Sequence, residues 1–248
     1  MGHRVTTLNV NTIEPAGNTL TIGASGDSVV IGNNDIRANT YKDAGGNTLF
    51  VSDGSGNLSS VNAGFGDPLK LLSTQTFTNQ ATVAFTSGIT STYKEYIFYF
   101  INMNPATTGA MLQFQVDDDA GNNAYNDFNI TSTYFRAKQF ENNSGSTHGY
   151  ETGSDNAAVS YATISSSLFN AADASTTGIF HLYNPSSAVY VKNWQSRFSA
   201  MCYDGSNLEY VQSLNAAGYV NTTTALNAIS FKMTSGNFDG TIKMYGVA

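Results

Sequence analysis

Ile229-Ser-Phe-Lys-Met-Thr-Ser-Gly-Asn-Phe-Asp-Gly-Thr-Ile-Lys-Met-Tyr-Gly246 is the stretch from which the fold of this chain is read. Ile229, Phe231 and Met233 alternate with Ser230 and Lys232. Ile242 and Met244 alternate in the same way with Thr241, Lys243 and Tyr245. Successive side chains of a strand point to opposite faces, so a period of two sends one apolar row inward and one polar row outward. Two such rows near the end of the chain predict a two-sheet β-sandwich with an apolar interior.

Working upstream, nine or ten candidate strands share this texture. Thr82–Thr86 places Val83 and Phe85 on one face, and Met111–Val116 sets Leu112, Phe114 and Val116 against Gln113 and Gln115. Tyr96–Ile101 is apolar on both faces, which predicts a central strand enclosed by the sandwich. Further strands are expected over Ile130–Phe140, Tyr161–Ile164, Ile179–Tyr183, Val189–Cys202, a short Glu209–Val211, Leu226–Met233 and Thr241–Val247. No window shows a sustained apolar period of 3.6, so helix is expected to be scarce.

Composition agrees with an all-β chain. Hydrophobic residues make up 41% of the 248, with 14 Tyr and 15 Phe, enough for a packed core. Charged residues are only 12%, and Asn, Ser and Thr, roughly a third of the chain, take their place. Together with 23 Gly, these residues favour turns and strand surfaces over helices. The net charge of −7 argues against a nucleic-acid partner, which would require a basic stripe. A lone Cys202 among Phe198, Ala200 and Met201 forms no internal disulfide and reads as a buried thiol, not a nucleophile. No apolar run has the length of a membrane span, and the opening Met1-Gly2-His3-Arg4-Val5-Thr6 lacks the apolar core of an export signal. That opening fits a loose acylation pattern, but nothing else points to a membrane anchor.

The first sixty residues differ. Gly-Asn-Thr-Leu occurs at Gly17–Leu20 and, 29 residues later, at Gly46–Leu49, with an echo at Gly56-Asn57-Leu58. Between the turns lie apolar runs too short to be stable alone. Arg4–Val10 also alternates. Residues 1–62 are therefore expected to be a β-rich repetitive stalk or attachment region completed by identical chains. Ala63-Gly64-Phe65-Gly66-Asp67-Pro68 breaks any ladder, which gives a linker over 63–72 and a sandwich head over 73–248.

Two stretches carry a resemblance. Phe85-Thr-Ser-Gly-Ile-Thr-Ser-Thr-Tyr-Lys-Glu-Tyr-Ile-Phe-Tyr-Phe-Ile-Asn102, continued by Asn104-Pro105-Ala106-Thr107, resembles a β-rich domain of tail-fibre and other virion proteins of bacteriophages, notably marine ones. The closing Ile229–Gly246 looks like the last two strands of that domain, and the stalk region is similar to the repetitive N-terminal parts of phage fibres. The resemblance implies a jelly-roll-like head on a homotrimeric fibre, made in the host cytoplasm and carried on the outside of a virion. Its partners would be further copies of itself, other virion proteins through the N-terminal region, and a host-surface glycan or protein, with no membrane insertion. A capsid decoration or head fibre is the alternative, and a polysaccharide depolymerase with an inter-subunit site is a further one.

Residues able to carry chemistry are sparse. His3, His148 and His181 are scattered, so no zinc pattern or nucleophile elbow exists. Asp117-Asp118-Asp119 before Ala-Gly-Asn-Asn is a weak calcium candidate, but its spacing is not that of an EF-hand and a solvated turn explains it. No cofactor and no catalytic residue is expected. Polar, tyrosine-bearing loops suit wet recognition surfaces, so receptor contacts are expected at Tyr125 and Asn126, at Asn142, Asn143, His148 and Tyr150, and at Tyr203, Asp204 and Asn207. Trp194, on one strand face with Tyr190 and Lys192, is expected in the core or at an interface in preference to a stacking platform.

Overall fold

Strands account for nearly all regular structure in the computed structural model, which describes residues 38–62, 68–118, 124–205 and 208–247. Among these residues there is no α-helix. The chain divides into two compact units, Met1–Phe65 and Gly66–Ala248.

In the first unit β1 (Thr40–Lys42), β2 (Thr48–Ser52) and β3 (Leu58–Val61) form an antiparallel meander. Its two turns are copies of one device. In Asp43-Ala-Gly-Gly-Asn47 and Asp53-Gly-Ser-Gly-Asn57 the aspartate Oδ1 accepts the backbone N–H of the asparagine, at 2.8 and 3.1 Å. The asparagine Nδ2 donates back to the aspartate Oδ2 at 3.0 and 2.9 Å. The glycine before each asparagine has a positive φ, +84° at Gly46 and +91° at Gly56, which a side chain would resist. These hydrogen bonds hold each aspartate below its usual carboxylate range, chiefly through the asparagine side chain. Tyr41 stacks on Phe50 with ring centroids 4.4 Å apart, whereas Leu58 and Val61 are 57% and 43% exposed. Short strands leaving Gly/Asn turns were expected, and the repeat that the structure reveals is ten residues long. Arg4–Val10 and Gly17–Leu20 lie outside the described residues.

The second unit is an all-β sandwich. One sheet has nine strands in the order β10-β8-β14-β13-β12-β6-β16-β4, with β9 also on β8; the other has four, β11-β7-β15-β5. The strands are β4 (Leu69–Gln80), β5 (Thr82–Phe85), β6 (Glu95–Pro105), β7 (Leu112–Asp117), β8 (Ile130–Phe140), β9 (Ser146–Tyr150), β10 (Ala157–Ala158), β11 (Ala162–Thr163), β12 (Thr176–Tyr183), β13 (Lys192–Tyr203), β14 (Glu209–Val220), β15 (Ala228–Met233) and β16 (Phe238–Val247). Eight of them form a jelly roll. In chain order β4, β5, β6, β7, β11, β12, β15 and β16 pair first with last, second with seventh, third with sixth and fourth with fifth. This is the wrapping of one long antiparallel ribbon around a core. Two insertions, β8–β10 and β13–β14, widen the larger sheet beyond β12.

The closing stretch behaves as its alternation dictates: Ile229, Phe231, Met233, Ile242 and Met244 are all buried. Phe114 packs against Phe180 and Trp194 at centroid distances of 4.6 and 4.8 Å, and Phe231 contacts Phe85, Phe98, Phe100 and Phe180. Trp194, 1% exposed, belongs to this core, as expected. Of its two expected companions, Lys192 shares the buried face and Tyr190 does not. Tyr190 precedes β13 and is exposed, and Lys192 is fully buried, its ammonium donating to the carbonyls of Ser187, Tyr190 and Thr222 at 2.7, 2.8 and 3.2 Å. Cys202 is buried, and burial pushes its thiol up to about 12.

Several boundaries differ from expectation. Leu69–Leu72, read as linker, belong to β4. Glu209–Val211 is the start of a twelve-residue strand, because pairing with β13 on one side and β8 on the other overrides the weak propensity of Gln212-Ser-Leu-Asn-Ala-Ala-Gly218. In β6 the inner face is enclosed, with Tyr96, Phe98 and Phe100 buried; on the outer face of the nine-stranded sheet Ile97 is buried too, whereas Tyr99 and Ile101 are not. Asp117 is no part of a solvated turn; it ends β7 and is 1% exposed.

Candidate functional site

A cleft of about 540 Å³ lies against the outer side of the four-stranded sheet. Gln113, Thr163 and Lys232 supply its floor from β7, β11 and β15. The segments around Tyr125, Asp155 and Tyr161 supply its walls. These walls belong to the insertion between β7 and β11, which folds back over the strands that precede and follow it.

The lining is organised by hydrogen bonds. The Tyr161 hydroxyl donates to Ser230 Oγ at 3.1 Å, and Lys232 Nζ stands 4.1 Å from the Tyr161 ring centroid. Gln113 Nε2 donates to the Tyr161 carbonyl at 3.3 Å, while Ser160 Oγ donates to Asn156 Oδ1 at 2.8 Å. Asp155 accepts the Tyr150 hydroxyl through Oδ2, and its Oδ1 is buried without a hydrogen-bond partner among the described residues. The Tyr125 hydroxyl is pushed up to about 12, first by burial and then by the negative charge of Asp117, so it remains a donor through the neutral range. Aromatic faces, amides, hydroxyls and a single ammonium make this a surface for hydrogen-bonding polyols.

Asp117, Asp118 and Asp127 present oxygens within 4.8 Å of one another. Asn227 ties this corner together, donating its backbone N–H to the Asp117 carbonyl at 3.0 Å and Nδ2 to the Asp118 carbonyl at 2.6 Å. Through one oxygen each, three carboxylates supply fewer ligands than the six to eight that calcium takes. Asp119 lies outside the described residues.

The outer face of the nine-stranded sheet is the second surface of note. Strand register sets Tyr150, Phe135, Asn215, Arg197, Ile179, Tyr99 and Lys243 in one row across seven adjacent strands. A parallel row carries Thr133, Ala217, Gln195, His181, Ile97 and Tyr245. His181 faces outward, with Nδ1 2.5 Å from Glu95 Oε1 and its ring stacked on Tyr183.

The expected receptor-contact residues do not form one site. Tyr125 and Asn126 line the cleft, and Tyr150 reaches its wall through Asp155. His148 and Tyr150 stand on β9 at the sheet's outer face, with His148 edge-on to Phe135. Asn142 and Asn143 form the β8–β9 turn, where Asn142 Oδ1 accepts the Ser144 N–H at 2.9 Å. They lie beside the β13–β14 hairpin that holds Asp204, as the Glu141 N–H donation to the Glu209 carbonyl shows. Tyr203 stacks on Phe169 at the base of that hairpin. The length of β8, about 35 Å at the usual strand rise, separates these tips from the cleft. Asn207 lies outside the described residues. Sequence reasoning missed Asp155, Tyr161 and Lys232. The outward position of Lys232 was legible from its alternation, but not the insertion that folds over it.

Comparison with protein-family models, with characterised proteins and with solved structures finds no match for the chain.

Proposed function

We propose that the protein is a non-enzymatic phage virion component, a trimeric tail fibre whose C-terminal jelly roll contacts the host cell surface. The observation that carries this reading is the polar cleft in which Tyr125, Asp155, Tyr161 and Lys232 converge, a lining suited to glycan hydroxyls. The similarity of 85–107 and 229–246 to phage virion domains supports the setting. The first unit supports self-assembly, since Leu58 and Val61 expose apolar surface that a second copy would cover. Three copies of a weak site combine through effective concentration into firm adhesion.

Immunogold labelling of virions with an antibody to the head tests the setting. Label at the tail is expected, and label on the capsid would move the protein to a decoration or head-fibre role. Adsorption to host cells tests the cleft: Tyr161→Ala and Lys232→Ala should weaken binding of the purified protein. Release of reducing ends from host polysaccharide would replace the adhesin reading with a depolymerase.

A further inference from the structure

We infer that the outer face of the nine-stranded sheet is a separate binding surface for an acidic polysaccharide, laid across the strands with Arg197 holding a sugar carboxylate. This surface is distinct from the cleft, and the inference does not depend on where the protein sits in a virion.

The argument begins with charge. The chain as a whole carries −7, yet the central row of this face carries Arg197 and Lys243 and no acid. Of the acids with outward positions on these strands, Glu95 is engaged by His181 beside the row, Asp239 accepts the Asn79 N–H, and Glu209 lies at the far end of β14. An anionic chain laid along the central row therefore meets Arg197 and Lys243, and the one carboxylate near its middle is already paired.

Arg197 is exposed, and among the described residues its guanidinium has no hydrogen-bond or salt-bridge partner. It borders a depression of about 400 Å³ lined also by Phe135, Ile179, His181, Gln195 and Asn215. A planar guanidinium between two side-chain amides is arranged for a carboxylate: two parallel N–H donors from the arginine, with Asn215 and Gln195 left for neighbouring hydroxyls.

Aromatic residues flank the cation on its own row. Phe135 is two strands to one side and Tyr99 two strands to the other, about 10 Å each way at the usual strand spacing. Phe135 and Tyr150, adjacent in register, are 46% and 59% exposed. Their ring faces fit the C–H faces of sugars. On the row itself Asn215, Arg197 and Ile179 separate Phe135 from Tyr99, and the flanking rows are small at Ala137, Ser213, Ser199 and Ala217, so the rings stand apart and do not form a continuous apolar patch. Isolated rings, amides and a central cation match a charged sugar chain better than the contiguous apolar core of a protein interface.

The test uses the full chain with polygalacturonate as the acidic probe and dextran as the neutral one, read by affinity electrophoresis and calorimetry. Polygalacturonate should bind and dextran should not, with binding weakened at about 0.5 M salt by screening. Arg197→Ala should lower affinity about ten- to a hundredfold, the range for a lost charge-assisted hydrogen bond. Arg197→Lys should recover only part of it, because the fork is lost while the charge stays. Phe135→Ala should weaken binding several-fold. Equal binding of dextran, or an Arg197→Ala variant with wild-type affinity and unchanged melting temperature, overturns the inference. A change of mass in sedimentation on replacing Arg197 or Phe135, without a change in polygalacturonate affinity, also overturns it and assigns the face to a second copy of the chain.

Discussion

Replacing Gly218 by alanine tests whether close approach of two backbones holds the widened part of the sheet together. Gly218 lies in β14 opposite Trp194 on one side and Ser132 on the other. A Cβ there would stand 2.2 Å from the Thr131 carbonyl oxygen and 2.9 Å from both Ser132 Cα and Trp194 Cζ2. The worst contact is with a paired strand, which no rotamer change relieves, so β8 and β14 must separate locally by about 1 Å and stretch their ladder bonds past useful length. Overpacking of this kind costs about 1–3 kcal/mol, and a weakened ladder bond about 1 more. Alanine returns about 0.5–1 kcal/mol relative to glycine in a strand. The net loss of about 1–3.5 kcal/mol corresponds to a fall in melting temperature of roughly 2–14 °C for a unit of this size. Scanning calorimetry against Gly149→Ala, where nothing lies within 4 Å of the added methyl, supplies the control. If the two variants melt within a degree of each other, close packing of β8 on β14 is not what selects glycine at 218.

Other outcomes follow from groups already described. Cys202 and Tyr210 are each pushed up to about 12, from ordinary values of 9.0 and 10.0, first by burial. The folded state thus holds protons that the unfolded chain releases. Their stabilising effect is complete below about pH 9 and is lost as pH rises towards 12, so melting temperature should fall across that window and Cys202 should resist thiol reagents at about pH 8. Lys192→Met removes the donor that three carbonyls share and should destabilise the head by about 1–3 kcal/mol, with faster amide exchange around Ser187 and Thr222. Asp43 and Asp53 are held below 3.8, so their contribution is present above that pH and lost on acidification; amide exchange at Asn47 and Asn57 should accelerate towards about pH 2 before the head unfolds.

Alternation was enough to find the sandwich, because in β5 and β16 the apolar row is the buried row, and in β7 and β15 the apolar row is buried together with Gln115, Asp117 and Ser230 of the other row. It was not enough for β14 or β9, whose outward rows of Ser, Ala, Thr and His resemble loop sequence and become strands only through their neighbours. The jelly-roll order was also hidden, since register between strands far apart in sequence leaves no local mark. Of the cleft, Tyr125 and Asn126 were legible as polar loop residues. Asp155, Tyr161 and Lys232 join them through the path of an insertion, which composition does not encode. Arg197 carries no mark in the sequence, and only strand register places it between Phe135 and Tyr99.

Pairing first strand with last has a consequence for how the protein is made. Thr76 Oγ1 meets Thr241 Oγ1 at 3.0 Å across 165 residues of chain, and among the described residues β4 has no partner in its sheet other than β16. During synthesis β4 emerges early and must wait, unpaired, until the ribosome has released β16. Non-local pairing of this kind is slow and leaves sticky edges exposed. The three-stranded unit before it closes through neighbouring turns and has no such delay. The β1–β3 hairpins can therefore close on a nascent chain while its head is still open.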